Sequence, residues 1–192
     1  MKQLSGEGWV ARFIGRNDTQ SLNPMFRGSV EKFLKSLKDA GVRITISATF
    51  RPPERAYLMH WSWKLSRGLV KPTDIPAKSG VDIDWVHRAA DGKLNNIKST
   101  NAAKDMVRAF GMTNLHVAPA LNSRHTQGNA IDMTLSWSGN LTIKNNNGES
   151  VVIENLPRDG MNNKLHEVGK SFRVMKYHGG AKDKPHWSTD GQ

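Results

Sequence analysis

The sequence predicts an α+β fold in which a small antiparallel sheet is flanked by helices. Segments with 3.6-residue apolar spacing and segments of strict alternation are both present, they follow no regular β-α-β rhythm, and an Asn-Gly pair marks a tight hairpin. A length of 192 residues suits one domain with a real core and is short for two. Residues 1 to 192 are therefore read as a single domain without a separate binding module.

The first expected helix covers residues 24 to 40. Pro24 fits a first turn, Phe26, Val30, Phe33, Leu34 and Leu37 share one face, and Gly41 ends it. "VRITISATF" (42 to 50) alternates Val42, Ile44, Ile46 and Ala48 with Arg43, Thr45, Ser47 and Thr49, the pattern of a half-buried strand. Pro52 and Pro53 open a second helix to about Arg67, on which Leu58, Trp61 and Leu65 make a core face. Leu69 to Asn96 is a long excursion rich in Pro, Asp, Gly and Lys, with one alternating segment, "VDIDWV" (81 to 86). Ser99 or Thr100 caps a third helix that carries Ala103, Met106, Val107 and Phe110 and closes at Gly111.

"AIDMTLSW" (130 to 137) is a strand with Ile131, Met133 and Leu135 on the core face, which puts Asp132 on the opposite face. "LTIKNNNGESVVIE" (141 to 154) is a hairpin turning at Asn-Gly. A last helix is expected over 161 to 174, and a short strand at "KPHWS".

Composition narrows the function. The chain has no cysteine, which removes disulfides, thiolate metal ligands and a cysteine nucleophile, and leaves the redox compartment open. Its start lacks the apolar run of a secretory signal and no 18-residue apolar stretch occurs, so a soluble protein is expected. The net charge of +11 favours a polyanionic partner: nucleic acid, an anionic membrane surface or an acidic wall polymer. Plain solubility is the simpler reading of the same charge.

Several fragments imitate known signatures. "GEGWVA" (6 to 11) fits a dinucleotide fingerprint but follows no strand. "HEVGK" (166 to 170) has Lys170 where a zinc helix needs its second histidine, and no G-x-S-x-G elbow exists. Asp82 and Asp84 lack the glycine and terminal glutamate of a calcium loop. His60, His87, His116 and His166 have no partners in sequence and are read as surface or packed residues.

A zinc site without cysteine needs imidazole and carboxylate ligands, three from the protein. In "NSRHTQGNAIDM" (122 to 133), His125 and Asp132 supply two if the loop folds back over the strand, a reversal that Gly128 permits. "AKDKPHWSTDG" (181 to 191) offers a third ligand, His186, and a non-ligating carboxylate, Asp183, to move a proton.

These residues resemble the zinc D,D-carboxypeptidase and L-alanyl-D-glutamate endopeptidase family, which includes VanY-like carboxypeptidases and phage endolysins. "SRHTQGNAID" is similar to S-x-H-x-x-G-x-A-x-D and "DKPHWS" to the D-x-P-H segment. "TFRPPERA" (49 to 56) resembles the upstream strand-to-helix segment, and "YHGG" (177 to 180) the aromatic-Gly-Gly before D-x-P-H. The resemblance runs from about residue 30 to 190.

It implies a hedgehog/D,D-peptidase-like fold and Zn2+ held by His125, Asp132 and His186. Asp183 is implied as general base and then acid, and Arg51 as the group that stabilises an oxyanion or holds a substrate carboxylate, unless it merely pairs with Glu54. Ser123 would steady the first ligand's loop. His178 replaces an expected tryptophan and would support the site or touch substrate. The implied partners are bacterial peptidoglycan and an anionic envelope surface, without nucleic acid, for a monomeric phage endolysin made in the host cytoplasm and acting on the wall after membrane breach. A D-alanyl-D-alanine carboxypeptidase of wall maturation and a non-enzymatic basic binding module are the alternatives.

Overall fold

The structure is a computed structural model and describes residues 2 to 192. In chain order its elements are β1 (Gln3–Leu4), α1 (Pro24–Asp39), β2 (Arg43–Ala48), α2 (Pro53–Ser66), β3 (Ile83–Asp84), α3 (Asn96–Ala109), β4 (Ala130–Ser136), β5 (Leu141–Lys144), β6 (Ser150–Ile153), α4 (Asn163–Ser171), β7 (Met175–Lys176) and β8 (His186–Ser188). Helices and small, mostly antiparallel sheets make it α+β, as the sequence pattern predicts. Read from its length as one domain, the chain groups its contacts into two compact units: the segment through Ile14 with Pro52–Asn122, and Gly15–Arg51 with Ser123–Gln192.

The first unit packs α2 on α3 beside the short parallel pair β1–β3. Much of the 69–96 excursion belongs to this core. Val81, Ile83 and Trp85 are buried with Tyr57, Leu58 and Leu65, and Trp61 packs at the edge. The Trp85 Nε1–H donates to the Tyr57 hydroxyl at 3.1 Å, and that hydroxyl donates to the Pro76 carbonyl at 2.8 Å, so the excursion is fastened to α2 by buried polar links as well as by apolar area.

The second unit is built on a four-stranded antiparallel sheet in the order β2-β4-β8-β7. Ile131, Met133 and Leu135 of β4 are fully buried in a core shared with Phe26, Val30, Phe33 and Leu37 of α1 and Leu165 and Val168 of α4. Each such side chain contributes about 1.5–3 kcal/mol by leaving water. That gain fixes the register of β4, because a one-residue slip would expose all three and bury Asp132 and Thr134 instead. The hairpin β5–β6 adds Leu141, Ile143 and Ile153 to the same core.

Three boundaries differ from expectation. Helix α3 starts a turn early because Asn95 accepts from the Lys98 amide at 2.9 Å, while the Ser99 hydroxyl, expected as a cap, instead accepts from the His87 amide at 2.9 Å. Helix α4 is shorter than 161 to 174: Asn162 caps its start, and the chain leaves it through Arg173 at φ 62°. Directly after, Met175–Lys176 forms the edge strand β7, too short to display any periodicity in sequence.

Candidate metal centre

The centre lies wholly in the second unit. Asp132 of β4 and His186 of β8 are directly opposed in the antiparallel ladder, so both side chains rise from the sheet face turned away from the core. His125 arrives from a 3-10 turn, His125–Gln127, that ends on Gly128 in the left-handed region at φ 69°. A Cβ on Gly128 would lie 2.9 Å from the Asn23 amide nitrogen, so this position is glycine for both conformation and space. The loop is tied down on three sides: Asn23 N–H donates to the Gly128 carbonyl at 2.9 Å, Arg51 N–H to the His125 carbonyl at 3.1 Å, and the Thr126 hydroxyl to the Ser123 carbonyl at 2.8 Å.

The orientation of the two imidazoles follows from what their outer nitrogens do. His125 Nδ1 lies 3.1 Å from the Thr49 carbonyl oxygen and His186 Nε2 lies 2.9 Å from the Gln192 carbonyl oxygen. A carbonyl only accepts, so each of these nitrogens carries the ring proton, and a neutral ring then presents a lone pair from its other nitrogen. His125 Nε2, His186 Nδ1 and Asp132 Oδ1 therefore aim three lone pairs at one another. Both rings stand 3.1 Å from Asp132 Oδ1 and 3.2 Å from each other. Three acceptors at that spacing repel unless a proton or a cation lies among them. Zinc with ligand distances of about 2.0–2.2 Å places tetrahedral donors roughly 3.3–3.6 Å apart, a few tenths of an ångström beyond what the three residues already present. The donor set, its burial and its spacing fit a metal ion; His125, Asp132 and His186 form a group able to hold one.

The titration of these groups agrees. Without metal, burial pushes the Asp132 carboxyl upward, but hydrogen bonds from the His125 and His186 rings in their protonated form, and the charges those rings then carry, outweigh it and hold the group well below the usual carboxylate range. Burial pulls His186 down, and Asp132 more than reverses this, leaving it raised. A proton on His186 is the metal-free answer to the crowded lone pairs.

Asp183 stands at the rim. Its Oδ2 is 4.0 Å from His186 Nδ1 and its side chain is 49% exposed, so it reaches the centre without belonging to the buried trio. Burial first and the negative charge of Asp132 second raise its pKa. Arg51 is buried enough to lower its own pKa, opposed by Asp132 and then Asp183, and those two carboxylates, not Glu54, are the acids that act on it. The Ser123 hydroxyl is buried without a partner among the described residues, and the loop is instead held through the Ser123 backbone and Thr126. His178 is exposed; its amide donates to the Gly191 carbonyl at 2.9 Å, and it stays outside the trio.

Two further contacts at the centre are tertiary, one of them made by the first residue of the "YHGG" segment. The Tyr177 ring packs edge-on against His186 with centroids 5.7 Å apart. Arg124 and Asp190 form a two-pronged ion pair, with Nε to Oδ1 at 3.0 Å. The four histidines set aside in sequence lie elsewhere: His60, His87 and His166 bond the Pro119 carbonyl, the Ser5 hydroxyl and the Gly160 carbonyl, and His116 is exposed.

No protein-family profile matches the sequence, and no curated protein matches it. No helix among the described residues is long and apolar enough to cross a membrane.

Proposed function

We propose that the chain is a zinc-dependent peptidase that hydrolyses an amide bond in the peptide part of bacterial peptidoglycan, with a hedgehog/D,D-peptidase-like fold. The observation that carries this reading is the convergence of three lone pairs from His125, Asp132 and His186, each ring fixed from behind by a backbone carbonyl. Carbonyl anchoring of the outer nitrogen is what a metal-binding histidine needs to keep its tautomer.

Zinc bound there supplies a Lewis acid that polarises a carbonyl and acidifies a water. Asp183, at the rim and half exposed, takes a proton onto its carboxylate and returns it to the departing amine nitrogen. Its raised pKa suits it to both halves of that task. Arg51 offers a positive charge to oxygen that becomes negative as the amide is attacked, in a setting that has already removed much of its water. The +11 charge favours residence on an anionic wall or envelope, which suits a phage endolysin.

A second reading is a D-alanyl-D-alanine carboxypeptidase. It is favoured by Arg51, whose guanidinium could pair with a terminal carboxylate instead of an oxyanion. Mass spectrometry of purified peptidoglycan after digestion separates the two: internal cleavage of stem peptides or cross-links supports the endopeptidase, loss of one terminal D-alanine supports the carboxypeptidase. A zinc content near zero in the purified protein, or full lytic activity in His125→Ala or His186→Ala, would sink both.

A further inference from the structure

We propose that Lys176 is a positioning residue: its buried ammonium grips the segment between Asp183 and His186 and so sets where the base stands against the metal centre. The inference rests on Asp183 being that base. Lys176 lies on β7 opposite Trp187, only 6% exposed, with its ammonium 5.1 Å from the centroid of the Trp187 ring. A lysine there is costly, because a leucine or methionine would fill the same space without desolvating a charge. The use made of the charge lies in its acceptors.

Lys176 Nζ donates to the Lys184 carbonyl and, at 3.2 Å, to the His186 carbonyl. Between them sits Pro185, which has no N–H to give to a neighbouring strand. The Pro185 carbonyl accepts from the Met133 amide at 2.8 Å and the His186 carbonyl from the Tyr177 amide at 3.1 Å. All three consecutive carbonyls are thus held. The Lys184 carbonyl, one residue after Asp183, is held by Lys176. Through this contact the ammonium ties the Asp183 end of the segment to the sheet strand that carries His186. A carboxylate displaced by about 1 Å loses on the order of 100-fold in rate.

The test uses Lys176→Met, which keeps length and apolar bulk but removes the donor, and Lys176→Arg, which restores donors and charge. Three readouts are compared with the unmutated protein: zinc affinity, kcat and KM on soluble wall peptide, and hydrogen exchange of amides 182 to 188. The expected result for Lys176→Met is zinc still bound, kcat reduced on the order of 100-fold with KM unchanged, and exchange in that segment faster by about tenfold or more, with partial recovery in Lys176→Arg. Unchanged exchange and unchanged kcat in folded Lys176→Met overturn the inference, as does a lower melting temperature with kcat intact. If Lys176→Met does not fold, the unmutated protein decides. Slowly exchanging Lys176 ammonium protons, coupled to the carbonyl carbons of Lys184 and His186, support the grip, and a freely exchanging, uncoupled ammonium overturns it. Should the unmutated protein bind no zinc and cleave nothing, the functional reading fails, while the exchange and coupling results still decide whether Lys176 holds the segment.

Discussion

Asp132 and His186 oppose each other across β4 and β8 with Oδ1 and Nδ1 3.1 Å apart, and the ring proton of His186 is spoken for by the Gln192 carbonyl. Any further proton on His186 must therefore sit between the two, in the place a metal ion would take. Zinc binding should expel it. Because Asp132 raises the His186 pKa above its ordinary 6.5, zinc affinity should climb with pH until His186 is neutral in the metal-free protein. Calorimetry in buffers of different ionisation enthalpy reads the released proton directly. An affinity indifferent to pH across that range would remove the competition on which this prediction stands.

The same pair shapes stability without metal. Asp132 has a lowered folded pKa, so its contribution is present above the ordinary 3.8 and fades as pH falls through the lower folded value. His186 has a raised folded pKa, so its contribution is full below 6.5 and fades as pH rises through the higher folded value. The extra stability from the pair is therefore greatest between 3.8 and 6.5. Thermal melts of metal-free protein and of Asp132→Asn, compared across pH, should differ most inside that window. Added zinc should move the advantage of the unmutated protein to higher pH.

Asp183→Asn should leave zinc bound, since Asp183 stands outside the trio, and lower kcat by about 10²–10⁴. In the proposed role Asp183 can accept a proton only when ionised, and burial together with Asp132 raises its pKa, so the acid limb of the rate profile should lie above the ordinary carboxylate value. The asparagine variant should lose that limb as well as the rate. Retention of both would assign the base elsewhere.

How much of this was legible in the sequence depends on the length of chain that carries each feature. The alternation in β4 fixed the face of Asp132, because seven residues of period two admit one register. The face of α1 is readable because Phe26, Val30, Phe33, Leu34 and Leu37 recur at helical spacing over 16 residues, whereas the nine residues of α4 are too few to mark its ends. By residue type Asn95, Ser99 and Thr100 are all good caps for α3, and only the tertiary bond from the His87 amide to Ser99 decides between them. Within the excursion after α2 the alternation of 81 to 86 is legible, and Val81, Ile83 and Trp85 are its buried face, but that they pack on Tyr57, Leu58 and Leu65 is a matter of distant contacts that no local pattern announces. At the centre, His125, Asp132, His186 and Asp183 were found because their residue types imply chemistry. Thr49, Lys176 and Gln192 act through a backbone carbonyl or on one, and no residue type announces that.

Gly128→Ala tests how the loop delivers His125. The new methyl would meet the Asn23 amide nitrogen at 2.9 Å from a backbone at φ 69°, so backbone must move on one side or the other. A loss of about 1–3 kcal/mol in unfolding free energy is expected. Zinc affinity should fall with it, because Gly128 closes the turn that holds His125 beneath the Thr49 carbonyl. Denaturant melts of the metal-free protein and a chelator competition separate the two effects. Weaker zinc binding without any loss of metal-free stability would mean that the loop adapts and only the ligand is misplaced.

The last prediction concerns Arg124 and Asp190, which lie on either side of the two candidate ligand histidines, His125 and His186, in sequence. Arg124 directly precedes His125, and Asp190 accepts from the Gln192 amide at 3.3 Å, next to the carbonyl that holds His186. Their ion pair thus links the loop bearing one ligand to the segment that fixes the other. The pair is partly open to water, so it should matter little for global stability and more for the alignment of the rings. Arg124→Ala should weaken zinc binding by about 10–100-fold, the effect usual for groups that orient metal-binding imidazoles, with little change in melting temperature. The exchanged pair, Arg124→Asp with Asp190→Arg, should recover part of the loss, and the recovery should shrink in high salt as the charges are screened. Equal zinc affinity in all three proteins would mean that the Gln192 carbonyl keeps its place on His186 without the ion pair.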